Sequence, residues 1–214
     1  MKIVNDLIVF DLEMTSNQET EEDRPAIQTN NYIIEIGARH INRDLEIAGH
    51  FDAFVKPEER ITPFIEKITG ITNEMVSEEQ LWSVVGQNFA DWVGRCTKIK
   101  TARLMAHGNY FDMPALRKSY EKYSIPFPFS GTCFDAKTIM WQWMCDSGRK
   151  SDKLSIEHVA SVMGIKPCGA YHRASTDADT LAKIVIRALK DRRDGFFIPG
   201  KDGQPYRYAK FSVD

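Results

Sequence analysis

Two acids set into a strand constrain this chain more than any other feature of its sequence. Ile8-Val9-Phe10-Asp11-Leu12-Glu13-Met14-Thr15 is a largely apolar run interrupted by Asp11 and Glu13. Side chains alternate faces along a strand, so both carboxylates leave by one side while Phe10 and Leu12 leave by the other. Their attachment points lie about 7 Å apart, two strand rises. Two carboxylates against a packed sheet need something positive between them, because an unpaired buried charge is too costly to keep. A bare Asp-x-Glu usually just reaches solvent at a strand end; its meaning here comes from later segments.

Composition narrows the setting. With 214 residues, 43% hydrophobic and 11% aromatic, the chain can bury a sizeable core and is most simply one domain. A formal charge of -2 and a pI near 6.2 provide no global basic field to hold a long nucleic acid by counterion release. Any polyanion has to be gripped locally. Cys96, Cys133, Cys145 and Cys168 are scattered without a C-x-x-C pair, which argues against a zinc cluster and a disulfide framework and suits a reducing cytoplasm. The first residues break their apolar run too early for a signal peptide, and no apolar span approaches the ~20 residues of a membrane helix. The expectation is a cytoplasmic protein.

Along the chain, Ser16 to Asn31 is polar and acidic and reads as a surface loop broken by Pro25. Tyr32 to Asn42 and His50 to Val55 read as strands joined by a short turn, hence an antiparallel meander with the first strand. Ile65 to Thr72 reads as a Gly-centred turn. Ser77-Glu78-Glu79-Gln80 has the form of a capping box ahead of a helix whose stripe is Leu81, Val84, Val85, Phe89 and Trp92. Leu104-Met105-Ala106 is a short strand, and Asp112 falls where it gives way to a helix, the place where open α/β sheets put ligands. Thr132 to Lys137 reads as a fifth strand and Thr138 to Cys145 as a helix. Ser155 caps a helix that Gly164 stops. In the last long helix Asp177 and Asp179 lie about 200° apart, so only one can serve a given site. Glu35 is either a further site acid or, more simply, a structural acid bonded to its neighbours. His40, His50, His107 and His158 read as structural or surface histidines.

Phe10-Asp11-Leu12-Glu13-Met14-Thr15 resembles the first motif of the DnaQ-like (DEDDh) 3′-5′ exonucleases, and Phe111-Asp112 the second. His172 followed by Asp177 is similar to the third motif in its histidine-containing form. The three occur in family order across nearly the whole chain. Ile34-Glu35-Ile36-Gly37-Ala38 and Ile68-Thr69-Gly70-Ile71-Thr72 also resemble family segments, the latter especially those of the Eri/KapD-like branch. Many bacterial members read His-Asn-Ala-x-Phe-Asp in the second motif, whereas here His107-Gly108-Asn109-Tyr110 precedes Phe111. The resemblance implies an α/β, ribonuclease H-like fold, with a mixed five-stranded sheet (antiparallel meander, then parallel strands) flanked by helices. On this reading the exonuclease domain spans 1–190, and 191–214 is an extension: an added hairpin, a dimer contact or a loose end.

Phosphodiester hydrolysis gives such residues a purpose. Two divalent ions about 3.5–4 Å apart can clamp the attacking and leaving oxygens of an in-line displacement, and hard ions such as Mg²⁺ or Mn²⁺ take carboxylate and water ligands. By resemblance Asp11 would bridge both ions, Glu13 and Asp177 would complete one, and Asp112 would assist through water or the second. His172 would act as general base, for which an imidazole pKa near 6.5 is suited. Met14 and Thr15 would touch the terminal nucleotide, and Phe111 would offer a stacking surface worth ~1–3 kcal/mol per base. Arg173 and the Arg149-Lys150-Lys153 turn are candidates for phosphate, against the plainer reading of solvated charges. The expected activity is metal-dependent 3′-5′ exonuclease action on the 3′ end of single-stranded RNA or DNA, releasing nucleoside 5′-monophosphates. The rival is a catalytically inactive nucleic-acid-binding or adaptor module of the same fold. Such a module would be expected to lack a ligand or the base, and none is missing. RNA against DNA, a homodimer against a monomer, and the roles of 17–31 and 191–214 are left open.

Overall fold

The computed structural model describes residues 5–16, 31–194, 198–199 and 205–206. The acidic loop (all but Ser16 and Asn31) and most of the tail lie outside them. Its centre is a five-stranded sheet of order β3-β2-β1-β4-β5, made of β1 (Leu7–Met14), β2 (Ile33–Ile41), β3 (Ile47–Phe54), β4 (Arg103–Ala106) and β5 (Cys133–Asp135). β1, β2 and β3 pair antiparallel, and β4 and β5 then add in parallel to β1. This is the meander-then-parallel sheet expected from the sequence.

Strand alternation sorts the core into two layers. Ile8, Phe10, Leu12 and Met14 pack against α3 (Trp82–Cys96) and α4 (Asn109–Lys122), around Phe89, Trp92, Tyr120 and Phe129. Leu7 and Val9 face α5 (Ala136–Asp146), α6 (Ile156–Met163) and α7 (Ala174–Asp194), whose Leu181, Ile184 and Val185 are fully buried. Asp11 and Glu13 continue the Leu7–Val9 face past the end of that apolar layer.

Several local expectations shift. The segment read as a Gly-centred turn forms α1 (Pro63–Thr69), which Gly70 ends in the left-handed conformation, and α2 (Asn73–Val76) follows at once. Each is capped by a threonine, Thr62 or Thr72. Together they cover a small cluster of Ile34, Ile61, Ile65, Ile71 and Val76. Ser77 is not an N-cap: it closes α2, its hydroxyl donating to Glu74 O at 2.9 Å. α3 starts at Trp82 after Leu81 with no side-chain cap, and Leu81 and Val84 are exposed. Its buried stripe is instead Trp82, Val85, Phe89, Ala90, Trp92 and Val93, one position off at its start. The fifth strand is shorter than expected because Asp135 already caps α5, accepting from Lys137 N at 2.9 Å. In the tail, Ile198–Pro199 pairs antiparallel with Pro205–Tyr206, and α7 runs past residue 190 to Asp194.

Candidate active site

The C-terminal half of β1 places the first two acids. Asp11 lies opposite Gly37 and Glu13 opposite Glu35 in the β1–β2 ladder, and the register slips just after Glu13. Such a bulge twists the strand where a side chain must be aimed. β4 pairs with Leu7–Val9, ahead of the two acids, and stops at Ala106, where the chain turns through Gly108 (φ 78°) into α4. Asp112 sits in the first turn of that helix, buried beside Leu12, whose backbone N–H its carboxylate accepts. Asn109 ties the same turn to β5 by donating to Cys133 O at 2.7 Å.

The start of α7 completes the set. It rests directly on β2 at Gly37, where an added Cβ would lie 2.2 Å from Ala174 O. Only glycine permits that approach, which brings His172 and Asp177 over the acids of β1. One ligand atom each from Glu13, His172 and Asp177 falls within a mutual separation of 4.8 Å. Asp177 is buried, and its Oδ2 accepts from the His172 backbone N–H at 3.0 Å, while Oδ1 is enclosed with no hydrogen-bond partner. His172 itself is exposed.

These acids hold their protons abnormally tightly. Burial, then the charges of Asp112, Glu13, Asp177 and Glu35, push Asp11 well above the usual carboxylate range. Glu13 is pushed up to about 8 by burial and by Asp177, Glu35 and Asp112, with Arg173 opposing. Asp112 is raised to about 7 by burial, against the pull of its backbone donors and of Lys137. Burial also raises Asp177, against its bond from His172 N–H. Among the described residues no ion pair reaches any of the four. An all-oxygen donor set, crowded and unneutralised, with one buried oxygen left orphaned, fits a hard divalent cation. Glu13 and Asp177 are placed to hold such an ion, with Asp11 and Asp112 adjoining.

Other expectations sort differently. Phe111 is 55% exposed and Tyr110 beside it 74%, so both rings are open to solvent in the first turn of α4, next to Asp112 in sequence. Met14 and Thr15 are buried: Met14 joins the core beneath the sheet, and the Thr15 hydroxyl accepts from Tyr32 N at 2.8 Å. Of the two acids early in α7, Asp177 joins the site, while Asp179 turns away to Lys183 (2.7 Å) and Arg39 (3.4 Å). Glu35 proves to be a structural acid. It takes a two-pronged bond from Arg173, with Nε and Nη2 each at 3.0 Å, and a third from Ala174 N at 2.9 Å. Arg173 is therefore committed to Glu35 rather than free for phosphate. Arg149, Lys150 and Lys153 are exposed, and His107 anchors the end of their turn, its Nε2 2.6 Å from Leu154 O. Arg39 belongs to no motif, yet its guanidinium bonds Ala38 O, Asp52, Ser175 O and Asp179; a basic residue set among the β-branched residues of β2 was the available signal.

Known proteins resemble this chain in sequence and in fold. The chain is 28% identical over 156 residues to the DNA polymerase III epsilon subunit of Pasteurella multocida, covering 72% of this chain and 58% of that one. It is 24% identical to the 3′-5′ exonuclease DinG of Staphylococcus epidermidis, covering 85% of this chain and 18% of the relative. The chain thus spans from under a fifth to somewhat over half the length of these relatives. The nuclease domain of 3′hExo, a DEDDh family member solved with rAMP, superposes with a TM-score of 0.72 at 20% identity, covering 95% and 97% of the two chains. A model of the RNase_T exonuclease family matches residues 8–185, most of the sequence and a span within which all five site residues fall. The chain belongs to the RNase_T exonuclease family.

Proposed function

We propose that this chain is a divalent-metal-dependent 3′-5′ exonuclease that removes nucleoside 5′-monophosphates from the 3′ end of single-stranded RNA or DNA. The observation that carries the reading is the convergence of Asp11, Glu13, Asp112, Asp177 and His172 from separate elements into one pocket of unneutralised acids beside an accessible imidazole. A pair of Mg²⁺ or Mn²⁺ ions, when bound, would neutralise those acids and polarise the scissile phosphate. The protein's share is to hold and to steer. Glu13 and Asp177 would hold a cation, and Asp11 and Asp112 would complete the carboxylate set around the ions. His172 takes the proton of the attacking water. Its exposure lets it pass that proton to solvent and return to the neutral form. Phe111 stacks on the terminal base, while Met14 and Thr15 support the floor beneath it. A DEDDh nuclease domain of this shape in complex with rAMP is in keeping with a mononucleotide product.

We take 1–190 as the catalytic unit and 191–214 as an extension or partner contact. A cytoplasmic setting accords with the four free cysteines, and no helix among the described residues is long and apolar enough to cross a membrane. The test is digestion of matched 5′-labelled RNA and DNA oligonucleotides with Mg²⁺ or Mn²⁺. A ladder shortened from the 3′ end is expected, with the metal required and the better substrate emerging from the comparison. Cleavage by Asp11→Ala at the parent's rate would refute the assignment.

A further inference from the structure

We infer that Glu35, acting through Arg173, is a positioning residue for His172: a β2 carboxylate that caps α7 from outside and fixes the turn presenting the imidazole. The inference rests on the reading of His172 as the base. It starts from the backbone. His172 has φ 60°, the left-handed region that a residue with a Cβ avoids, so its surroundings must over-determine it. Two carboxylates do so. Asp177 Oδ2 accepts the His172 N–H, and Glu35 takes the next two residues together, Arg173 by its guanidinium and Ala174 by its N–H. Arg173 O in turn accepts from Asp177 N at 2.9 Å, the first bond of the helix.

Glu35 is suited to this and to nothing else nearby. Only 3% exposed, it lies directly opposite Glu13 on the strand between β1 and β3, so the clamp measures the position of His172 from the same sheet that carries the acids. Both its oxygens are occupied, Oε1 by Arg173 Nη2 and Oε2 by Arg173 Nε and Ala174 N, which leaves it outside the cation-binding group. The guanidinium lies over the Phe54 ring, 5.0 Å from its centre, so the fork has one orientation. A free N–H at a helix start takes an acceptor from elsewhere when its own cap residue cannot supply one, and Arg173 cannot. Asp177 does not depend on the clamp alone, because α7 is also seated on Gly37 and held by Arg39 through Ser175 O at 2.8 Å. Loss of the clamp should therefore disturb the base and spare the cation ligands.

The measurement is a cycle of single-turnover cleavage rates on a 5′-labelled oligonucleotide for the parent, Glu35→Gln, His172→Ala and the double variant, with Mn²⁺ titrated in each. Arg173→Lys, which keeps the charge and loses the fork, serves as a second probe should Glu35→Gln not fold. Glu35→Gln is expected to slow cleavage by roughly 10- to 100-fold, the usual effect of losing a group that orients a site residue. KM and the half-saturating Mn²⁺ concentration should change little. In the His172→Ala background the same substitution should cost nothing more. Equal losses in both backgrounds, or a large rise in the Mn²⁺ requirement, would overturn the positioning role. A His172→Ala variant as fast as the parent would instead overturn the base assignment on which it rests.

Discussion

In the presence of a chelator this protein should become easier to unfold as the pH rises from about 5 to about 9, and divalent cation should offset much of that trend. Glu13 has a folded-state pKa of about 8 against an ordinary 4.5, and Asp112 one of about 7 against 3.8. Below the ordinary value both the folded and the unfolded chain carry the proton and stability is full. As pH rises, the unfolded chain releases the proton while the folded one must keep it. Stability therefore falls through the window from about pH 4.5 to about 8. At about 1.4 kcal/mol per unit, either group alone accounts for on the order of 4 kcal/mol. The acids share one field and titrate as a set, so the whole effect is taken as roughly 4–6 kcal/mol rather than a sum. Against a usual stability of about 5–15 kcal/mol that is a large fraction. Mn²⁺ at 100 times its dissociation constant should restore about 2.7 kcal/mol where the acids are ionised, and less where they are protonated. Asp179 works in the opposite sense: Lys183 and Arg39 outweigh its burial and lower its pKa, so its stabilisation is lost only on acidification, below this window. The assay is urea unfolding followed by fluorescence of the buried Trp82, Trp92 and Trp143, with EDTA or with Mn²⁺. A midpoint in EDTA that is flat or rising across the window, or a Glu13→Gln variant with the parent's slope, would refute the reasoning.

Three further outcomes are expected. His172→Ala should keep the parent's unfolding midpoint and lose about 10²- to 10⁴-fold in the cleavage rate, the usual share of a general base; stopped-time digestion of labelled oligonucleotides decides it. Gly37→Ala places a Cβ 2.2 Å from Ala174 O, a backbone atom that cannot step aside, and should cost about 3 kcal/mol in urea titration while displacing His172 and Asp177 enough to depress cleavage as well. Phe89→Ala removes a fully buried ring in contact with Phe51, Trp92 and Phe129 and should cost about 3–5 kcal/mol, yet leave the rate per folded molecule unchanged.

The parts of this molecule that announce themselves in sequence are those set by local pattern. The apolar run around Asp11 and Glu13, the β-branched second strand, the Ser155 cap and the Gly164 stop all depend on residues within a few positions of one another, and each appears in the structure. The capping-box reading of Ser77 failed because the same residues also suit the close of a preceding short helix, and tertiary packing of α2 over Ile34 and Ile61 favoured that use. What could not be read were pairings with no local trace. Arg173 meets Glu35 across 138 positions and Arg39 meets Asp179 across 140, and nothing at either end specifies its partner.

Those distant pairs explain how so acidic a centre can exist in a folded chain. Opposite Glu13 stands Glu35, and two residues from Asp177 stands Asp179, so four carboxylates crowd the junction of β1, β2 and α7. The fold sorts them by giving cations to the two that build the frame. Glu35 receives Arg173, and Asp179 receives Lys183 and Arg39. The other two receive none, and their affinity for protons rises accordingly. Had the arginines paired with Glu13 and Asp177 instead, the apo-protein would be steadier but the acids would be unavailable to a divalent ion. The helix start would also lose its outside cap. Withholding positive charge from the site and spending it on the frame are thus one arrangement, and much of the stability it forgoes without cation is returned when the ion binds.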